Sequence, residues 1–170
     1  MNRDVIVFEN FLDRSMCKPY INMISEKWQR YKYFDKSETI WSFRTIDITD
    51  DSIVLKVKTF LEQKLSVKLN IDQAKIQVWP KNHAGLIHKH DSDSRAHTDF
   101  NSLIYLNDNY EGGEFYTEND FVYKPNAGSL TFFDGSNIMH GSKKVLGHDR
   151  FTIIFWWKKP TIFHDHHAPF

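Results

Sequence analysis

The residues best equipped for chemistry lie in the second half of the chain. His97-Thr98-Asp99 sets an imidazole and a carboxylate two positions apart, so on an extended strand both project from one face. A second imidazole, His140, follows the run Leu130-Thr131-Phe132-Phe133-Asp134-Gly135. Two imidazoles and one carboxylate on one side of a metal form the facial set that suits ferrous iron. It leaves coordination positions open for a chelating molecule and for O2. Arg150 lies a short way beyond His140, at the head of the run Phe151-Thr152-Ile153-Ile154-Phe155-Trp156-Trp157. A guanidinium there can hold a carboxylate bidentately and so fix the far end of a dicarboxylate whose keto acid end chelates the metal. Tyr105 shares the parity of Asp99 on the strand leaving it, which lets its hydroxyl donate a second hydrogen bond.

These side chains need a scaffold, and the sequence predicts one in two parts. Val5 to Phe8 reads as a short strand, and Asp13 or Ser15 is placed to cap a helix whose stripe is Met16, Cys17, Tyr20, Ile21, Ile24 and Trp28. Trp41 to Ile48 switches to a period near two, the mark of a strand. Thr49-Asp50-Asp51 then opens a second helix with the stripe Ile53, Val54, Val57, Phe60, Leu61 and Leu65. From Ala74 onward the pattern is short β-rich runs: 75–79, 86–90, 103–106, 114–117, 121–123, 129–133 and 151–157. Turn residues such as Gly112-Gly113, Pro125-Asn126 and Asp134-Gly135 separate them. The expectation is an α+β fold: a double-stranded β-helix (jelly-roll) core with two N-terminal helices packed on one sheet. The expected layout is a single domain over 1–160, with helical support over 13–66, the jelly-roll core over 74–158 and a tail over 161–170. Leu103, Phe115 and Phe132 are expected to line the barrel, and one of Trp156 and Trp157 to face the core.

Composition narrows the class of partner. With 170 residues the chain is of single-domain size, and 22 basic against 22 acidic residues leave a formal charge of zero. That balance offers no electrostatic reason to expect nucleic acid or an anionic membrane as partner. Cys17 is the one cysteine, so an internal disulfide is excluded, which suits a reducing cytoplasm. The apolar run after Met1 ends at Glu9, too short for a signal peptide, and no stretch is long enough to span a bilayer. A small molecule or a short peptide is the expected substrate class. His83, His88, His90 and His148 read as surface or loop residues, and the cluster His164, His166, His167 as part of a tail.

Three longer segments carry a family resemblance. Asn101-Ser-Leu-Ile-Tyr-Leu-Asn-Asp-Asn-Tyr-Glu-Gly-Gly-Glu-Phe115, Lys124-Pro-Asn-Ala-Gly-Ser-Leu-Thr-Phe-Phe133, and His140-Gly141 with Arg150 resemble the Fe(II)/2-oxoglutarate-dependent dioxygenases, in the prolyl 4-hydroxylase-like branch. The start, Val7-Phe8-Glu9-Asn10-Phe11-Leu12, is similar too, so the likeness covers roughly residues 4 to 158. It implies iron bound by His97, Asp99 and His140, with Arg150 and Tyr105 on the C5 carboxylate of 2-oxoglutarate and Thr152 in support. It also implies O2 as cosubstrate, ascorbate as an accessory reductant, and hydroxylation of a prolyl or other amino acid unit. Relatives in this branch usually carry a longer loop before the Tyr-Leu-Asn strand, and the run Leu86 to Asp91 lies where many of them place their ligands. His88, His90, Asp91 and Asp93 are therefore rival ligands, although residues 90 and 92 are not carboxylates. A three-histidine set of His88, His90 and His140 is a further alternative, and a catalytically altered jelly-roll binding protein is the rival of another class.

Overall fold

The computed structural model describes residues 5–27, 29–34, 40–90 and 98–160. The first strand, β1 (Ile6–Phe8), leads into helix α1 (Arg14–Glu26). Asp13 caps α1 by accepting from the Ser15 N–H at 2.8 Å, as its position ahead of the apolar stripe predicts. Strands β2 (Gln29–Phe34) and β3 (Ile40–Asp47) form a hairpin that only its second half announced. Helix α2 (Ser52–Leu65) is capped by Asp51, which accepts from Ile53 N–H, and ends at Ser66 in the left-handed conformation with φ 52°.

The β-rich half supplies β4 (Asn70–Trp79), β5 (Gly85–His88), β6 (Phe100–Tyr105), β7 (Glu111–Gly112), β8 (Phe115–Thr117), β9 (Val122–Tyr123), β10 (Leu130–Phe133), β11 (His140–Ser142), β12 (Val145–Leu146) and β13 (Arg150–Lys158). They build a seven-stranded antiparallel sheet in the order β1-β10-β6-β13-β4-β3-β2 and a four-stranded sheet in the order β5-β11-β8-β9, with β12 and β7 as a short pair. Among the described residues, β5 pairs with β11 alone and forms a sheet edge.

Strand alternation sorts the large sheet into two faces. On one face, Ala74, Ile76, Val78, Ile104, Phe132, Ile153, Phe155 and Trp157 pack with Cys17 and Ile24 of α1 and with Ile53, Val54, Val57 and Leu61 of α2. Burying a side chain such as Leu61, which is 0% exposed, stabilises the fold by about 1.5–3 kcal/mol. The other face carries Leu103, Tyr105, Phe133 and Ile154, which meet Phe115 of the four-stranded sheet in a second cluster. Phe132 therefore belongs to the helix side, and its neighbour Phe133 takes the barrel-lining place expected of it. Trp157 is the core tryptophan, and Trp156 packs beside the second cluster.

Candidate metal and cosubstrate site

The antiparallel register places His88 of β5 directly opposite His140 of β11. Residues opposite each other share a face, so the two imidazoles meet with ring centroids 4.5 Å apart. His90, two positions beyond His88, has the same parity, and its ring lies 5.2 Å from that of His88 and 5.1 Å from that of His140. One ring nitrogen from each of the three falls within 4.8 Å of the others.

Backbone carbonyls orient two of these rings. His88 Nδ1 lies 2.8 Å from Leu86 O, and His140 Nδ1 lies 2.9 Å from Ile138 O. A carbonyl only accepts, so each Nδ1 carries the hydrogen and each Nε2 presents its lone pair, the arrangement of a metal-ligating histidine. His90 has Nδ1 3.4 Å from Thr98 Oγ1 and Nε2 3.2 Å from His88 Nε2. Basic nitrogens that close must share a proton or a cation. Burial holds the His140 pKa well below the ordinary histidine range, His88 and His90 push it lower, and the Ile138 contact opposes them weakly, so the ring is neutral near pH 7. Phe133 and Phe115 flank it, at 4.6 Å and 5.8 Å between centroids.

Arg150 lines the same cavity, a space of about 210 Å³ lined also by Leu103, Tyr105, Phe115, Phe133 and Ile154. It is 2% exposed, and its guanidinium carbon sits 4.9 Å from the centroid of the Trp79 ring. Nη1 donates to Gly113 O at 2.7 Å and to Ser142 Oγ at 2.6 Å, while Nε has no hydrogen-bond partner. Thr152 stands opposite Tyr105 in the β13–β6 register, and both hydroxyls are buried, that of Thr152 without a hydrogen-bond partner among the described residues. Burial pushes the Tyr105 pKa up, so the phenol remains a hydrogen-bond donor. No carboxylate pairs with Arg150 among the described residues. A buried cation without a counter-ion is costly, and a ring of unused donors around it costs more. Both costs fall when a carboxylate binds there.

The residues expected from the sequence distribute as follows. His140, Arg150 and Tyr105 share the cavity, and Thr152 is buried beside Tyr105. Asp99 engages Lys159: its Oδ2 accepts from Lys159 N–H at 2.7 Å, and its Oδ1 is 3.7 Å from Lys159 Nζ. His97, Asp91 and Asp93 lie outside the described residues. Sequence reasoning passed over Ser142 and Trp79: Trp79 stood in a run read as a strand, whereas 140–142 carried no strand signal.

A family model described as the 2OG-Fe(II) oxygenase superfamily matches residues 74–158. The chain belongs to this superfamily. Its enzymes are oxygenases that use Fe(II), 2-oxoglutarate and O2. A prolyl-4-hydroxylase from Pseudomonas putida superposes with a TM-score of 0.72 at 15% identity, covering 92% of this chain and 93% of that one. A prolyl hydroxylase from Trichoplax adhaerens, solved with a hypoxia inducible factor oxygen degradation domain peptide fragment, gives 0.73 at 15% identity, covering 92% and 84%. HygX from Streptomyces hygroscopicus, solved with nickel, 2-oxoglutarate and hygromycin B, gives 0.66 at 12% identity, covering 94% and 84%. At these identities the likeness establishes the jelly-roll fold of the oxygenase. No curated protein matches the chain by sequence. No helix among the described residues is long and apolar enough to cross a membrane.

Proposed function

We propose that this oxygenase hydroxylates a C–H bond of a prolyl or similar amino acid unit, presented as a short peptide or a free amino acid. In this reading His88, His90 and His140 hold the iron, and Arg150 with Tyr105 holds the distal carboxylate of 2-oxoglutarate. One observation carries it: a single cavity is lined both by three converging imidazoles and by a buried guanidinium that no carboxylate pairs among the described residues. Prolyl substrates are supported by the fold shared with two prolyl hydroxylases and by the resemblance of the 101–133 segments to that branch. A cytoplasmic location is supported by the absence of any internal disulfide, Cys17 being buried and free.

When bound, the iron with 2-oxoglutarate and O2 supplies oxidative decarboxylation, giving succinate and CO2, together with oxidation of the substrate C–H bond. The chain's own part is placement. Leu86 O and Ile138 O keep two Nδ1–H groups occupied, which aims Nε2 of His88 and His140 at a common point. Arg150 neutralises one carboxylate of the cosubstrate, and Tyr105 donates to it. Leu103, Phe115, Phe133 and Ile154 exclude water, so charge interactions inside the cavity are screened weakly. Leu86 and Ile87, 46% and 40% exposed at the cavity rim, offer an apolar contact for substrate.

The test is anaerobic titration with Fe(II) and 2-oxoglutarate, followed by aerobic assay against proline-containing peptides and free amino acids. A weak visible charge-transfer band and succinate release are expected, with hydroxylated product from one of the two substrate classes. A protein that binds Fe(II) but gives no band and no succinate refutes the reading.

A further inference from the structure

One of the contacts that hold Arg150 comes from Ser142, on the strand of His140. Ser142 follows His140 by two positions on β11, so both side chains leave the same face, and two residues of strand separate their Cα atoms by about 6.6 Å. Ser142 is 6% exposed and lines the cavity. Its hydroxyl hydrogen is directed to Lys143 O at 3.2 Å, which leaves oxygen lone pairs to accept from Arg150 Nη1 at 2.6 Å. Gly113 O takes a second bond from the same nitrogen, and the Trp79 ring lies against the guanidinium. Protein contacts use Nη1, and the buried Nε–H has no acceptor among the described residues, so the guanidinium keeps donor capacity beyond these contacts. Ser142 has no room to retreat: a Cβ on Gly85 would stand 3.1 Å from Ser142 N and 3.3 Å from Ser142 Cβ, so β5 is packed hard against it.

We propose that Ser142 is a positioning residue that fixes the Arg150 guanidinium at a set distance from His140, and so determines the chain length of the oxo diacid the cavity accepts. The inference rests on the cosubstrate reading above and adds a specificity element to it. A dicarboxylate that chelates at the histidines must place its far carboxylate against the Arg150 guanidinium. Because β11 carries both His140 and the acceptor that restrains Arg150, the spacing between the two ends is a property of one rigid strand. Releasing Nη1 from Ser142 leaves only Gly113 O and the Trp79 face to hold the cation, and it can then follow a longer ligand.

The experiment compares wild type, Ser142→Ala and Ser142→Cys, each loaded with Co(II) under argon and titrated calorimetrically with 2-oxoglutarate and with the six-carbon 2-oxoadipate. Wild type should prefer 2-oxoglutarate. Ser142→Ala should bind it about tenfold more weakly, as expected for a lost hydrogen bond to a charged group. The preference over 2-oxoadipate should shrink, with Co(II) affinity unchanged. Ser142→Cys keeps the shape and weakens the acceptor, so it should move the preference in the same direction and serves if the alanine variant fails to fold. An unchanged preference in a folded variant overturns the proposal. So does equal weakening of both diacids together with Co(II), the signature of a purely structural role. Failure of Co(II)-loaded wild type to bind 2-oxoglutarate overturns the cosubstrate reading as well. Binding by wild type with unaltered preference in the variants overturns the Ser142 proposal alone.

Discussion

His88 and His140 face each other across the β5–β11 pair, and each gives its Nδ1–H to the carbonyl of the residue two positions earlier, Leu86 and Ile138 respectively. The symmetry of that arrangement turns two lone pairs toward one point. His90 reaches the same point from the chain just beyond β5, so nitrogens of three imidazoles converge there, the set that the sequence reading held as an alternative to His97, Asp99 and His140.

Removing any one imidazole should therefore cripple metal binding. His88→Ala, His90→Ala and His140→Ala are each expected to weaken Co(II) affinity by at least about 100-fold, since even partners outside the ligand set are worth 10–100-fold. Asp99→Asn should leave it unchanged, because that carboxylate is committed to Lys159. Calorimetric titration of the four variants decides the matter, and loss of Co(II) binding in Asp99→Asn would restore the aspartate to the ligand set.

Arg150→Ala should separate the two ends of the cavity. Affinity for 2-oxoglutarate is expected to fall by about 10–100-fold, the scale of a charge-assisted pair lost from a buried site. Co(II) affinity should stay within error of wild type. Equal loss of both, measured on folded protein, would mean that Arg150 supports the barrel and does not anchor a ligand.

Acid should loosen the join between α1 and the β-rich half. Burial alone would raise the Asp108 pKa, but the Ala127 N–H at 3.1 Å and the hydrogen bond and charge of Arg14 outweigh it and hold the carboxyl below its usual value. A depressed native pKa means the contribution is fully present above the unfolded value of about 3.9 and is lost as pH falls through the native one. Thermal melts between about pH 2 and pH 6 should show wild type losing Tm toward the acid end more steeply than Asp108→Asn, in which this group no longer titrates. Parallel slopes would refute the assignment.

Buried polar pairs on the helix-facing side should be costly to break. Trp157 Nε1–H donates to Ser102 Oγ at 2.8 Å, with both residues 0% exposed. Ser102→Ala strands that donor and is expected to cost about 1–3 kcal/mol in urea unfolding. A change under half of that would show that the indole finds another acceptor.

Much of the fold could be read from residue patterns. The stripe of α2, the aspartate caps and the apolar run of β13 depend on local periodicity and match the structure, while in the α1 stripe Cys17 and Ile24 are buried, Met16 is exposed and Trp28 lies outside the described residues. What local pattern missed or left open shares a cause in tertiary context. His140-Gly141-Ser142 has no strand propensity of its own, and it is extended because β5 and β8 lie on either side of it. The bounds of β10 were nearly right, yet the choice between Phe132 and Phe133 depends on which face the helices cover. The histidine-and-aspartate spacing of 97–99 pointed to a carboxylate ligand, but whether Asp99 is available depends on Lys159, far away in sequence and adjacent through the β6–β13 pairing. Convergence of His88 and His90 on His140 was open as an alternative, and no local signal ranked it first.

Strand β5 is four residues long and is hydrogen-bonded on one flank among the described residues. Such a border is the part of a sheet most prone to peel away or to recruit a foreign chain. Here it carries one of the three nitrogens and leads directly into a second, while the third sits on its single neighbour. An ion held in common by all three would act as a rivet through that margin, so the same event that arms the enzyme also fastens the weakest seam of its barrel.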